Sequence, residues 1–202
     1  MSQYLGIFIV ALAIGVVVWL ARSIGAEGVA TSLDAPWGKF CEKHRLDLLL
    51  ARPLVGEKWP MIAGFASDVA VSIDVFEEQV GVRKLVSTRL RAASSHVRAG
   101  VLRVCSRAGA SVTSGRVIAT GDTLFDADLV AFADTDDVAR VLGDAGRSAL
   151  LELAQRRRVH LEVDGGAITL LIRDVIHRSD ELALAMDAVV QIAGARPTHG
   201  YR

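Results

Sequence analysis

Six aspartates crowd the stretch TGDTLFDADLVAFADTDD, residues 120–137. Asp122, Asp126, Asp128, Asp134, Asp136 and Asp137 offer carboxylate oxygens, the donors that hard cations such as Mg²⁺ and Ca²⁺ prefer. Asp122, Asp126 and Asp128 are the candidate metal ligands, and a divalent-metal-dependent hydrolase is the chemistry they would serve. The spacing departs from the EF-hand loop, with no glycine at the sixth position and no glutamate at the twelfth. Each aspartate also has a simpler use, and the spacing favours it. Gly121-Asp122 reads as a turn, and Asp126 and Asp128 read as loop or strand-edge residues. The last three stand at a helix start, where negative charge meets the positive helix end.

Other pairs are weaker. Cys41 and His44 form C-x-x-H, two of the four ligands that zinc needs, on an apolar helix stripe beside Trp37 and Phe40. Core packing is the expected role. His160 and Glu162 share the polar side of an alternating strand, able to trade a proton under a cleft and expected to face solvent. Ser94-Ser95-His96 sets a hydroxyl beside an imidazole without a G-x-S-x-G elbow. Thr113-Ser114-Gly115 reads as hairpin punctuation. Arg156, Arg157 and Arg158, and separately Arg83, Lys84, Arg89 and Arg91, could meet anionic headgroups at about 1 kcal/mol per residue near the surface. Their plainer role is a solvated helix end and strand face. No P-loop, dinucleotide fingerprint, H-E-x-x-H or kinase set occurs. No cofactor is expected.

The chain places its charge in one region only. All 46 charged side chains of the 202 residues follow residue 21. Before them runs YLGIFIVALAIGVVVWLA, residues 4–21. Eighteen helical residues span roughly 27 Å, close to a hydrocarbon thickness of about 30 Å. Backbone groups in lipid must bond internally, so a single transmembrane helix is expected. Tyr4 and Trp19 sit near its ends, where amphipathic rings favour the headgroup layer. A cleaved signal peptide is the alternative, with Ser23-Ile24-Gly25 as its cleavage site, but MSQY lacks the basic start. A buried soluble helix is the third reading. Lys and Arg fall only after the helix, at Arg22, Lys39, Lys43, Arg45, Arg52 and Lys58. The positive-inside rule then expects a single-pass inner-membrane protein, N-terminus outside and main domain cytoplasmic. Ala11 and Gly15 form a small-x-x-x-small pair through which two such helices could approach.

Composition narrows the class further. Lys+Arg and Asp+Glu both number 23, so the basic excess that a nucleic-acid binder needs is missing. Hydrophobic residues make up 51%, which excludes a disordered chain. Two cysteines, Cys41 and Cys105, cannot build a disulfide framework and fit a reducing compartment. Arginine outnumbers lysine 19 to 4 and asparagine is absent, as a GC-rich coding sequence would give, so a bacterial source is expected.

The elements that must position these residues follow from periodicity. Residues 22–34 read as a flexible linker, 35–194 as one α+β domain and 195–202 as a tail. A helix is expected from Asp34-Ala35-Pro36, with a capping residue, and with Trp37, Phe40, Cys41, His44 and Leu48 on one face. Alternation then sets strands at DVAVSIDVF and VRKLVSTRLR, followed by short strands near 100–105, 116–119 and 129–133. Two short helices, TDDVARVL and GRSALLELAQRRR, come next. RVHLEVD-GG-AITLLIRD alternates on both sides of Asp164-Gly165-Gly166, a hairpin signal. A helix from about Ser179 to Gly194 closes the chain, burying Leu182, Met186, Val189 and Ala193. No regular strand–helix alternation occurs, so the sheet is expected to be mainly antiparallel. Seven or so strands and a terminal helix suggest a pleckstrin-homology-like half barrel.

At TGDTLFDADLVAFADTDDVARVLGDAGRSALLELAQRR the chain resembles a family of uncharacterised bacterial membrane-anchored proteins. In these, a G-D-x-x-F-D segment leads into a strand, an acidic helix start and a leucine-rich helix. Gly121, Asp122, Phe125 and Asp126 carry the resemblance, which spans about residues 120–175. Leu129-Val130-Ala131 stands where the pattern has an aromatic residue. The resemblance implies an N-terminal membrane anchor and supplies no activity. The expected function is a membrane-tethered, non-catalytic domain that binds a protein partner, a second copy or the membrane surface. The metal-dependent hydrolase is the alternative.

Overall fold

Period-two alternation dominates the middle of the chain, and it builds a sheet. The computed structural model describes residues 32–50, 59–93, 101–109, 116–133 and 138–194. The expected membrane helix at 4–21, most of the linker and the tail lie outside these. Among the described residues, no helix is long and apolar enough to cross a membrane.

The order of elements is α1 (Asp34–His44), β1 (Asp47–Leu49), β2 (Met61–Ala66), β3 (Val69–Val80), β4 (Arg83–Ala93) and β5 (Leu102–Ser106). A 3₁₀ turn (Arg107–Gly109), β6 (Arg116–Ile118), α2 (Thr123–Asp128) and β7 (Leu129–Ala133) follow. Then come α3 (Val138–Arg156), β8 (Val159–Asp164), β9 (Ala167–Arg173) and α4 (Ser179–Gly194). The strands form one sheet in the order β1-β2-β3-β4-β9-β8-β5-β7-β6, and each neighbouring pair is antiparallel. The α+β class with a large antiparallel sheet and a C-terminal helix is therefore as the pattern implies. Among the described residues the sheet has nine strands where about seven were expected, and the β8–β9 hairpin lies in its middle.

One row of cross-strand neighbours explains the register. Leu48, Ile62, Ile73, Leu90, Leu170, Leu161, Val104, Ala131 and Ile118 stand opposite one another in succession across all nine strands. Seven of them, Ile62 to Ala131, are buried. A slip of one residue in any strand would turn its apolar set to the other face, so burial pins the register. The helices cover this side. Helix α4 lies against β3, β4 and β9, and α3 packs along α4. The two helices meet closely at Gly146, where a Cβ would come within 2.7 Å of Ile192 Cγ1. Helix α3 breaks at Gly143 (φ 63°, ψ 164°), so the two helices expected here are two segments joined at that residue.

Helix α1 stops sooner than its apolar spacing suggests. Arg45 takes the left-handed conformation (φ 57°, ψ 45°) and its amide bonds Cys41 O, ending the helix at His44. Leu48 belongs instead to β1. Leu33 occupies the N-cap without a side-chain cap bond, in place of the expected polar cap, and is fully buried. The domain's core thus begins inside the segment expected to be linker. Trp37, also fully buried, donates its indole N–H to Ile176 O at 2.9 Å. Thr88 accepts the Ile176 amide at 2.9 Å and donates to Asp174 O at 3.0 Å. These bonds fix α1 and β4 to the segment that leads from β9 into α4.

Candidate functional site

The aspartate-rich segment is spent on local structure. Asp122 caps α2, its Oδ1 accepting the amides of Leu124 and Phe125, both at 3.1 Å. Phe125 is fully buried. Asp126 folds back on Thr120, accepting its amide at 3.1 Å and its hydroxyl at 2.9 Å. Gly121 takes φ 82° in the turn between them. The G-D-x-x-F-D segment is thus a helix cap, a core anchor and a folded-back loop. Asp126 and Asp128 lie within a helix, not on a strand edge. The three candidate ligands Asp122, Asp126 and Asp128 do not converge. Among the described residues, no group of three His, Cys, Asp or Glu side chains could hold a metal ion. Asp134, Asp136 and Asp137 lie outside those residues, as do Ser94-Ser95-His96 and Thr113-Ser114-Gly115.

Cys41 is a core residue and His44 is half-buried beside it. Burial, helped by the charge of Asp47, pushes the Cys41 thiol up to about 11, so it stays protonated at neutral pH. The His44 ring lies 4.5 Å from that of Phe40, and its Nε2 is buried with no hydrogen-bond partner.

The sheet face away from the helices carries a charged ladder. Arg89 grips Asp74 through two bonds (Nε–Oδ1 2.9 Å, Nη2–Oδ2 2.6 Å), and Arg91 adds a third at 3.0 Å. Arg89 also stacks 4.7 Å from the centre of the Phe76 ring. Lys84 pairs with Glu77. The expected basic patch is therefore largely neutralised by cross-strand carboxylates. Farther along, Arg103 holds Glu162 at 2.9 Å. His160 stands opposite Cys105, which clusters with Val130 and Phe132. Burial holds its pKa below the ordinary histidine value, the nearby charge of Glu162 working against this and that of Arg103 with it. His160 is half-buried rather than solvent-facing. Burial likewise raises the Cys105 thiol.

The Arg156–Arg158 run lies where three strand ends meet. Ser106 closes β5 opposite Leu129, the first residue of β7, so Asp128 arrives beside it. Arg158 immediately precedes β8, and the Val159 amide donates to Ser106 Oγ at 2.9 Å. The neighbouring order β8-β5-β7 thus gathers Ser106, Asp128 and Arg158 from three separate parts of the chain. Between them opens a pocket of about 760 Å³, also lined by Arg107, Arg156 and Arg157 and floored by small alanines. Arg107 donates to Asp126 O and Ala127 O at the end of α2. Arg156 pairs with Glu152 at 2.7 Å, and Arg157 pairs with the nearly buried Glu181 at 2.8 Å. Sequence reading finds Arg156, Arg157, Arg158 and Asp128 but not Arg107 or Ser106, whose places depend on strand pairing.

No protein-family model matches the chain, and no curated protein matches it. Its fold is similar to the crystal structure of the mycobacterial trehalose monomycolate transport factor A, TtfA, with a TM-score of 0.53. That match covers 83% of this chain and 98% of the other at 12% sequence identity, so what the two share is the fold.

Proposed function

We propose that this chain is a membrane-tethered, non-catalytic accessory domain in the movement of an envelope lipid. Residues 4–21 would hold it in the inner membrane, N-terminus outside and the α+β domain in the cytoplasm. There the domain binds a protein partner, or a second copy of itself, at the membrane surface. The observation that carries this reading is the likeness of fold over 98% of the solved chain of the mycobacterial trehalose monomycolate transport factor A. The uncharged eighteen-residue stretch at the other end of the chain supports it.

The test uses a bacterium that carries the protein. Its depletion, followed by a pulse of labelled lipid precursor, should leave an envelope lipid on the inner-membrane side and lower it outside. Full-length protein should restore the distribution, and a version lacking residues 4–21 should not. A lipid distribution unchanged by depletion rules the reading out.

A further inference from the structure

We propose that the pocket at the ends of β5, β7 and β8 binds a phosphate-bearing anion, with Arg158, Arg156 and Ser106 as its donors. Charge bookkeeping motivates this. Glu152 and Glu181 offset the charges of Arg156 and Arg157. Glu152 takes only Nη2 of Arg156, so that residue's other N–H groups remain as donors, whereas Glu181 takes both Nε and Nη2 of Arg157. Arg107 and Arg158 then face Asp128 alone among the residues that line the pocket, a surplus of one positive charge. Arg107 spends donors on the end of α2, an ordinary use for a cation at a helix C-terminus. Arg158 has no such use. It lies beyond the last residue of α3, is exposed, and pairs with no carboxylate among the described residues. Its fork of N–H donors is free to take two oxygens of one group.

Ser106 provides the second, independent observation. It is only 8% exposed, and its Oγ already accepts the Val159 amide. Its hydroxyl proton is therefore left for an acceptor, and the residue lines the pocket. Ala108, Ala127 and Ala154 complete the lining with small side chains. A phosphodiester headgroup and free phosphate share the recognised chemistry. Asp128 opposes any anion there and so lowers the affinity.

The inference stands apart from the transport reading, since anion binding is measured without reference to lipid distribution. The experiment is calorimetric titration of the full-length chain in maltoside micelles, with inorganic phosphate in one arm and dihexanoyl phosphatidylglycerol in the other. Saturable binding in at least one arm is expected, and the arm that binds identifies the source. R156Q/R158Q should weaken binding about tenfold or more, the loss of a charge-assisted pair of bonds. D128N should strengthen it about threefold or more by removing the opposing charge. Lys39→Gln, on the exposed side of α1 and outside the pocket lining, should leave it unchanged. Absence of saturable binding in both arms overturns the proposal. So does equal affinity in a folded R156Q/R158Q, or a D128N that binds no better than the parent chain.

Discussion

Trp37→Ala should lower the unfolding free energy by roughly 3–5 kcal/mol, the range for removing a large buried aromatic side chain. The residue is fully buried, and it joins α1 to the far end of the domain through its bond to Ile176 O. Truncation therefore leaves a cavity and removes the indole donor to that carbonyl. Trp37→Phe separates the two effects. It keeps most of the ring and loses the N–H, so a smaller cost of about 1–3 kcal/mol is expected from the unpaired carbonyl. Urea unfolding followed by far-UV circular dichroism checks both. A loss below about 1 kcal/mol for the alanine variant would mean that α1 does not seat on the core. The consequence reaches function, because α1 is the first element among the described residues and follows the stretch proposed to lie in the membrane.

Leu170→Ala should cost roughly 2–5 kcal/mol, while Phe65→Ala should change stability by no more than about 0.5 kcal/mol. Leu170 is fully buried in the central strand β9, flanked in the row by Leu90 and Leu161. Phe65 is 72% exposed on β2. Phenylalanine is the larger side chain, so size alone predicts the opposite order. Equal losses, or a larger loss for Phe65, would contradict the assignment of the helix-covered face. The same urea titration reads both variants.

Much of the sheet could be read from the chain because its strands alternate cleanly. Val71 and Ile73, Thr88 and Leu90, and the six apolar residues of the β8–β9 hairpin all face the core as their spacing implies. Asp164-Gly165-Gly166 turns as expected, with φ 55° at Gly165 and 89° at Gly166. Strands β1 and β2 were hidden for two reasons. Leu48 continues the helical spacing of α1, and only the left-handed turn at Arg45 breaks it. MIAGFA has no period, and its Gly64 is set by a neighbour, since a Cβ there would come within 2.7 Å of Leu46 Cδ2. Ser67 and Asp68 close the β2–β3 hairpin with positive φ but without the glycine that marks such turns.

The chemistry was less legible than the fold. Aspartates at 122 and 126 look like ligands because carboxylates serve caps and metals alike, and the folded chain commits them to the amides of Leu124, Phe125 and Thr120. His160 and Glu162 look solvent-facing because alternation ranks faces by polarity. The far face holds its own apolar cluster at Cys105, Val130 and Phe132, which half-buries the imidazole. The arginine pocket depends on Ser106, Asp128 and Arg158 meeting at three strand ends, a long-range fact that no local spacing encodes.

Attachment to the bilayer through residues 4–21 is the claim on which the functional account rests, and alkaline carbonate extraction of membranes from cells expressing the full chain tests it most directly. The account predicts that the protein stays in the carbonate-washed pellet at the intact mass of 21.6 kDa and leaves only with detergent. Release into the supernatant without detergent, or a mature chain that begins after residue 21, would contradict it.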